Sequence, residues 1–219
     1  MVTATGFTII VCLAACGAHV FSEFRGWKTG KAIFKIAAST AFLALAAQLD
    51  ATASTYGQLI LAALVLSWVG DVFLLSQKSR LFLLGIASFL LAHVVFSVAF
   101  ATRPMNGTAL IVGLAVMACI GIGVLAWLWK HLTDFYRVAV TAYVMAIVAM
   151  CALAIAVSAA SGAWLLAVGA VTFAVSDITV ARDRFVAPGP INRLWGLPLY
   201  YVAQIILAMS IGGAHPGIG

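Results

Sequence analysis

Apolar residues run along this chain in long stretches, not at the two-residue alternation of strands or on one face of a helix. A helix rises about 1.5 Å per residue and needs roughly 20 apolar residues to cross a bilayer. Eight stretches approach that length, at about residues 5–21, 32–49, 56–75, 81–101, 108–128, 136–157, 163–181 and 194–211. Short polar breaks separate them and hold most of the charge. The pattern predicts an all-α integral membrane protein of eight transmembrane helices, with residues 1–219 forming one transmembrane domain.

Composition points the same way. Hydrophobic residues make up 65% of the chain and charged ones 8%, too few charges to cover the surface of a soluble domain, so the lipid bilayer is its solvent. The net charge of +6 would suggest nucleic acid in a soluble protein, but here it has a topological explanation. Eleven of the twelve basic residues fall in or beside the odd-numbered breaks, and only Arg103 lies on the other side. Short cytoplasmic loops collect Lys and Arg. The odd-numbered loops are therefore expected in the cytoplasm and both termini outside it, most simply in a bacterial cytoplasmic (inner) membrane. Cys12, Cys16, Cys119 and Cys151 all fall within apolar spans and read as packing residues.

Ionisable residues inside spans are costly and mark functional sites by default. Asp71 precedes Lys78 by seven residues, about 10 Å inside the boundary at the helical rise. Asp177, five residues before Arg182, and Tyr200, seven after Arg193, come to about the same depth; His93 is nearer the midplane. Gly70-Asp71 and Ser176-Asp177 each close a span that runs towards a basic turn. That match suggests a parallel repeat of spans one to four in spans five to eight. Glu23, Asp50, Asp134 and Asp183 fall in breaks, where water is expected to solvate them, and Asn192 and Arg193 read first as a solvated loop.

Each candidate has a plainer reading. His93 can be a core histidine with its bonds satisfied, and Tyr200 and Tyr201 can be interface aromatics. One histidine among scattered acids makes a poor metal set, so no metal is expected. Neither a G-x-S-x-G elbow nor a phosphate loop occurs.

The order Gly70-Asp71, Phe89-Leu-Leu-Ala-His93, Ser176-Asp177, Arg184-Phe185 and Pro198-Leu-Tyr-Tyr201 resembles the YhhN-like lysoplasmalogenase family. The resemblance implies a membrane hydrolase that cleaves the vinyl-ether bond of lysoplasmalogens. The products would be a fatty aldehyde and glycerophosphocholine or glycerophosphoethanolamine, with no organic cofactor. It implies Asp71 and Asp177 as the catalytic pair, with His93 and Tyr200 lining the site and a lysophospholipid as the partner molecule. The Arg182-Asp-Arg184 turn is more charged than the family tendency, which bears on head-group choice; oligomeric state is not legible.

Vinyl-ether hydrolysis needs an acid strong enough to protonate carbon and a second carboxylate to steady the cation and activate water. On local sequence Asp71, among Val69, Val72 and Phe73, is expected to be the acid, with Ser176 keeping Asp177 ionised. Ser176 and Tyr201 would complete the pocket wall, and Lys78, Arg80 and Arg193 would hold the phosphate. The competing class is a proton-coupled transporter of a lipid or small amphiphile, since paired intramembrane acids also relay protons.

Overall fold

The computed structural model describes residues 3–76 and 78–214. Among them the chain is almost wholly helical, with no strand. Eight long helices follow in order: α1 (Ala4–Phe24), α2 (Lys28–Gln48), α3 (Thr55–Phe73), α4 (Ser79–Ala101), α5 (Gly107–Trp129), α6 (Asp134–Ser161), α7 (Leu165–Ala181) and α8 (Pro190–Met209). α1 to α6, and α7 together with the helical turn that follows it (Leu165–Val186), are long and apolar enough to cross a membrane. α8 carries Asn192, Arg193 and Gln204 and is less apolar, yet it packs against α7, α1 and α2 inside the bundle. The protein is an integral membrane protein.

Local chemistry sets the helix ends. Thr3, Ser54 and Asn106 each turn a side-chain oxygen onto a free N–H of the first turn, from Gly6, Gly57 and Ala109. α6 stops at Gly162, which takes the left-handed conformation (φ 76°) that closes helices. Pro190 opens α8, where its missing N–H costs nothing. α7 does not simply end: it widens into one turn of π-helix, Arg182–Val186.

Consecutive helices pair as hairpins, α1 with α2, α3 with α4, α5 with α6 and α7 with α8. The pairs join through α4 against α6 and α8 against α1 and α2. α5 leans chiefly on α6 and turns Ile111, Val112 and Ile122 outward, as a lipid-solvated face requires. Alanines fill the close contacts, Ala38 and Ala46 on α2 and Ala152 and Ala154 on α6 among them, and large rings (Phe42, Phe96, Phe173, Tyr201) fill the core between.

Two helix starts fall four residues before the sequence reading for one reason, while α1 and α6 run three and four residues past it. α2 begins at Lys28, four residues early, and α8 begins at Pro190. Hydropathy ends a span at its first charges, whereas a helix continues through charges that find partners. Lys31, Lys35 and Arg193 all do.

Gly57 sits where a side chain has no room. A Cβ there would lie 2.4 Å from the carbonyl oxygen of Ala51, a backbone atom that cannot swing away. Gly57→Ala is expected to destabilise the protein by about 1–3 kcal/mol, read as a lower melting temperature in detergent. Gly123→Ala, with nothing within 4 Å, should melt as the parent does. Equal melting of all three would contradict this packing.

Candidate active site

All eight helices contribute to one cavity of about 720 Å³, at the end of the bundle where the odd-numbered loops lie. Its size falls in the range of small-molecule sites, about 300–1,000 Å³. Asp71 and Asp177 both line it, as do Lys35, Tyr143 and Tyr200. The two acids, one near the end of α3 and one near the end of α7, therefore face a common space. Their surroundings are unlike.

Asp71, 3% exposed, is the anionic half of an ion pair: Lys35 Nζ stands 3.1 Å from its Oδ1. Its Oδ2 accepts from the hydroxyls of Ser39 and Tyr200, each at 2.6 Å. Lys35 and Ser39 lie one helical turn apart on α2, so a single face of that helix supplies both donors. Tyr200 reaches in from α8, its ring edge-on to Phe42 and Phe89. Tyr201, fully buried beside it, turns away to Ser39 and the Lys35 carbonyl, each at 3.3 Å.

Asp177 has no lysine or arginine beside it. Its Oδ2 lies 3.1 Å from Nε2 of His93, and neither atom has a formed hydrogen bond to any other group among the described residues. The imidazole is wholly buried against Phe173 and Tyr143, at ring-centroid distances of 4.4 and 5.2 Å. Its other nitrogen, Nδ1, sits 2.6 Å from the carbonyl oxygen of Phe89. A carbonyl only accepts, so Nδ1 carries hydrogen, and in the neutral ring Nε2 is then a bare acceptor. Two bare acceptors would repel at 3.1 Å. A proton must lie between His93 and Asp177.

At the cavity mouth Glu23 gathers Lys31 and Arg193, each at 2.7 Å, with His19 at 3.7 Å. Arg193 also reaches Asp183, at 3.3 Å. Asp183 in turn accepts from the backbone N–H of Gly189 and from Asn192, while Arg182 donates to the Asn192 side-chain oxygen. These bonds fix the π-turn and the start of α8 as one unit.

Several expectations need correcting. Glu23, Asp183 and Asn192 are not solvated loop groups; they form the frame of the mouth, because the breaks holding them are largely helical. Lys78 and Arg80 stand exposed where α4 begins and are not in the cavity wall. The first turn of α4 directs them outward. Ser176 does line the cavity, but its hydroxyl donates to the Phe173 carbonyl at 2.8 Å and not to Asp177. The grounds for Asp71 as the acid fall too, because its partners come from other helices and are polar. His93 and Tyr201 stand behind the wall, His93 touching the cavity lining through Asp177 and Tyr143.

Sequence reasoning missed Lys35, Ser39 and Tyr143. Lys35 left a signal, a lysine one turn beyond Lys31 and inside the apolar part of α2, which topology absorbed as a loop charge. Among the described residues no group of three or more His, Cys, Asp or Glu side chains gathers to hold a metal ion.

Residues 30–211 match the YhhN family. Among curated relatives, a bovine protein named lysoplasmalogenase TMEM86A is 34% identical over 157 residues, 69% of this chain and 64% of its own length. Its human counterpart is 36% identical over the same shares. A protein of Mycobacterium bovis named lysoplasmalogenase is 32% identical over 136 residues, 59% of this chain and 51% of its own. The match thus spans less than two thirds of these relatives' lengths. No solved structure matches the chain. With four fifths of its residues, Asp71 and Asp177 among them, inside the matched region, the chain belongs to the YhhN family.

Proposed function

We propose that the protein is a lysoplasmalogenase, hydrolysing the vinyl ether of a lysoplasmalogen to a fatty aldehyde and a glycerophospholipid headgroup alcohol. The observation that carries this reading is a pair of aspartates on one cavity, Asp71 paired with Lys35 and Asp177 standing 3.1 Å from His93. Relatives named lysoplasmalogenase support the substrate class.

In the first step Asp177 gives its proton to the outer alkene carbon. The carbon–carbon π pair forms the new C–H bond, and positive charge settles on the carbon bearing oxygen as an oxocarbenium ion. Asp71, which stays anionic beside Lys35, stabilises that charge across the cavity. A carboxylate has about four lone-pair sites, and Lys35, Ser39 and Tyr200 occupy three. The remaining one accepts a proton from water as the water oxygen bonds to the cationic carbon. The hemiacetal then collapses: its hydroxyl proton passes to Asp177, Asp71 returns its proton to the departing glycerol oxygen, and aldehyde and alcohol leave with both carboxyl groups restored, one water consumed in all. His93 positions Asp177 and shares its proton; a carboxylic O–H can rotate toward Nε2, whereas a ring N–H is fixed in the ring plane. This assigns the acid to Asp177, the reverse of what local sequence suggests.

The pocket suits a single-chain lipid. Phe82, Ile86, Val140, Val144 and Ile147 give it an apolar wall, and the polar mouth lies at one end. We place that end at the cytoplasmic face of a bacterial cytoplasmic membrane, both termini opposite, because the basic loops gather there. The chain is one transmembrane domain built as a 4+4 parallel repeat. Each half's aspartate takes one neighbour from its own second helix (Lys35 on α2, Tyr143 on α6) and one from the other half's fourth (Tyr200 on α8, His93 on α4).

Aldehyde release from a lysoplasmenyl lipid by detergent-solubilised protein tests the activity. Uptake into sealed proteoliposomes with no aldehyde formed would replace it with transport. Asp71→Asn and Asp177→Asn are each expected to abolish aldehyde release, by at least a thousandfold, while the protein still inserts; parental activity in either variant removes that residue from the mechanism.

Breaking the buried ion pair is a separate test. Lys35→Met leaves an uncompensated carboxylate and is expected to destabilise by about 3–5 kcal/mol. Asp71→Asn added to Lys35→Met should recover much of the loss in a detergent melt. A double variant less stable than Lys35→Met would contradict the pairing.

A further inference from the structure

The cavity mouth holds more positive groups than its acids can neutralise. Lys28, Lys31, Lys35, Arg184 and Arg193 all line the cavity. Lys35 is paired with Asp71, while Lys31 and Arg193 share Glu23, and Arg193 also meets Asp183. Among the described residues, Lys28 and Arg184 have no acidic partner. Lys28 is exposed at the start of α2. Arg184 is held: its guanidinium carbon lies 4.1 Å from the centroid of the Phe82 ring, which reaches over from α4.

That arrangement differs from the protein's other arginine–aromatic contacts. Arg25 over Phe21, Arg103 over Tyr56 and Arg137 over Trp129 lie outside the cavity wall, at 5.6, 5.3 and 5.1 Å. A guanidinium stacked on a ring keeps its N–H edges free, since the contact uses only its face. Those edges are what a phosphate's oxygens accept from, two at a time. The π-turn contributes as well. Asp183, Asn192 and Gly189 pin that turn at its polar side, so Arg184 is carried on a fixed segment.

We propose that Arg184, seated on Phe82, is the phosphate-recognition residue of the cavity, with Lys28 adding charge, so that the bound ligand is a lysophospholipid anchored by its phosphodiester. This replaces Lys78 and Arg80, which stand outside the wall, and Arg193, which Glu23 and Asp183 already neutralise. It rests on the hydrolase reading only for the identity of the lipid. The phosphate need not be part of a cleavable molecule.

The test measures binding and so stands apart from catalysis. A saturated alkyl-ether lysophospholipid, which has no vinyl bond to cleave, is titrated into purified protein, and so is the same alkyl glycerol without phosphate. Arg184→Gln is expected to weaken lysophospholipid binding by about tenfold or more and to leave alkyl-glycerol binding unchanged. Arg25→Gln should alter neither. Arg184→Lys keeps the charge but loses the planar fork, and should fall between parent and Arg184→Gln. It also serves if Arg184→Gln fails to melt cooperatively. Unchanged lysophospholipid binding in Arg184→Gln, or equal weakening of both ligands, would overturn the proposal. Inorganic phosphate alone, binding as tightly as the lysolipid and through Arg184, would overturn the lipid assignment in favour of a free anion. Absence of aldehyde from a vinyl-ether lipid, with the Arg184 discrimination intact, would sink the hydrolase reading and leave this one standing.

Discussion

A single proton between His93 and Asp177 decides how the rest of this molecule must be arranged. Nδ1 of the imidazole faces a backbone carbonyl and Nε2 faces a carboxylate oxygen, 3.1 Å away. The first contact fixes the tautomer, and the second then needs a hydrogen that the neutral ring does not have. No lysine or arginine stands beside Asp177 to hold it as an anion, so its charge is offset by the proton it shares with His93. Asp71 escapes that outcome because α2 brings an ammonium to it. Burying both ions still costs several kcal/mol each, offset only by good geometry and further hydrogen bonds, and Ser39 and Tyr200 supply those bonds.

The bundle holds these two environments apart while opening both to one cavity. Tyr200 and Phe173 lie between them, ring centroids 5.6 Å apart, and Phe89 packs against both. The aromatic wedge keeps Lys35 on one side and His93 on the other. Gly70 makes room for it: a Cβ there would fall 2.7 Å from the Phe89 ring. The glycine that precedes the first aspartate therefore has a packing reason as well as a place in a motif.

Helix count and the grouping of the two acids with Tyr200 were legible in the sequence because bilayer thickness and loop charge act on the whole chain at once. Asp71, Asp177 and Tyr200 were placed at one depth by counting residues from the basic turns, and all three line the same cavity. What the chain did not disclose was who partners whom. Lys35 looked like one more loop cation, since hydropathy cannot distinguish a lysine that leaves the membrane from one that turns inward. Ser176 is adjacent to Asp177 in sequence, yet on a helix adjacent residues point about 100° apart, and its hydroxyl bonds its own helix. Neighbours along the chain were therefore poor guides to which acid holds the proton. Contacts from α2, α4 and α8 decide that, and no local pattern encodes them.

The location of the proton is the claim on which the account turns. Infrared spectroscopy of the purified protein at neutral pH reads it through the carbonyl stretch of a protonated carboxyl group. One such band is expected, lost in Asp177→Asn and retained in Asp71→Asn. A band that disappears with Asp71→Asn and survives Asp177→Asn, or no protonated carboxyl in the parent protein, would contradict it.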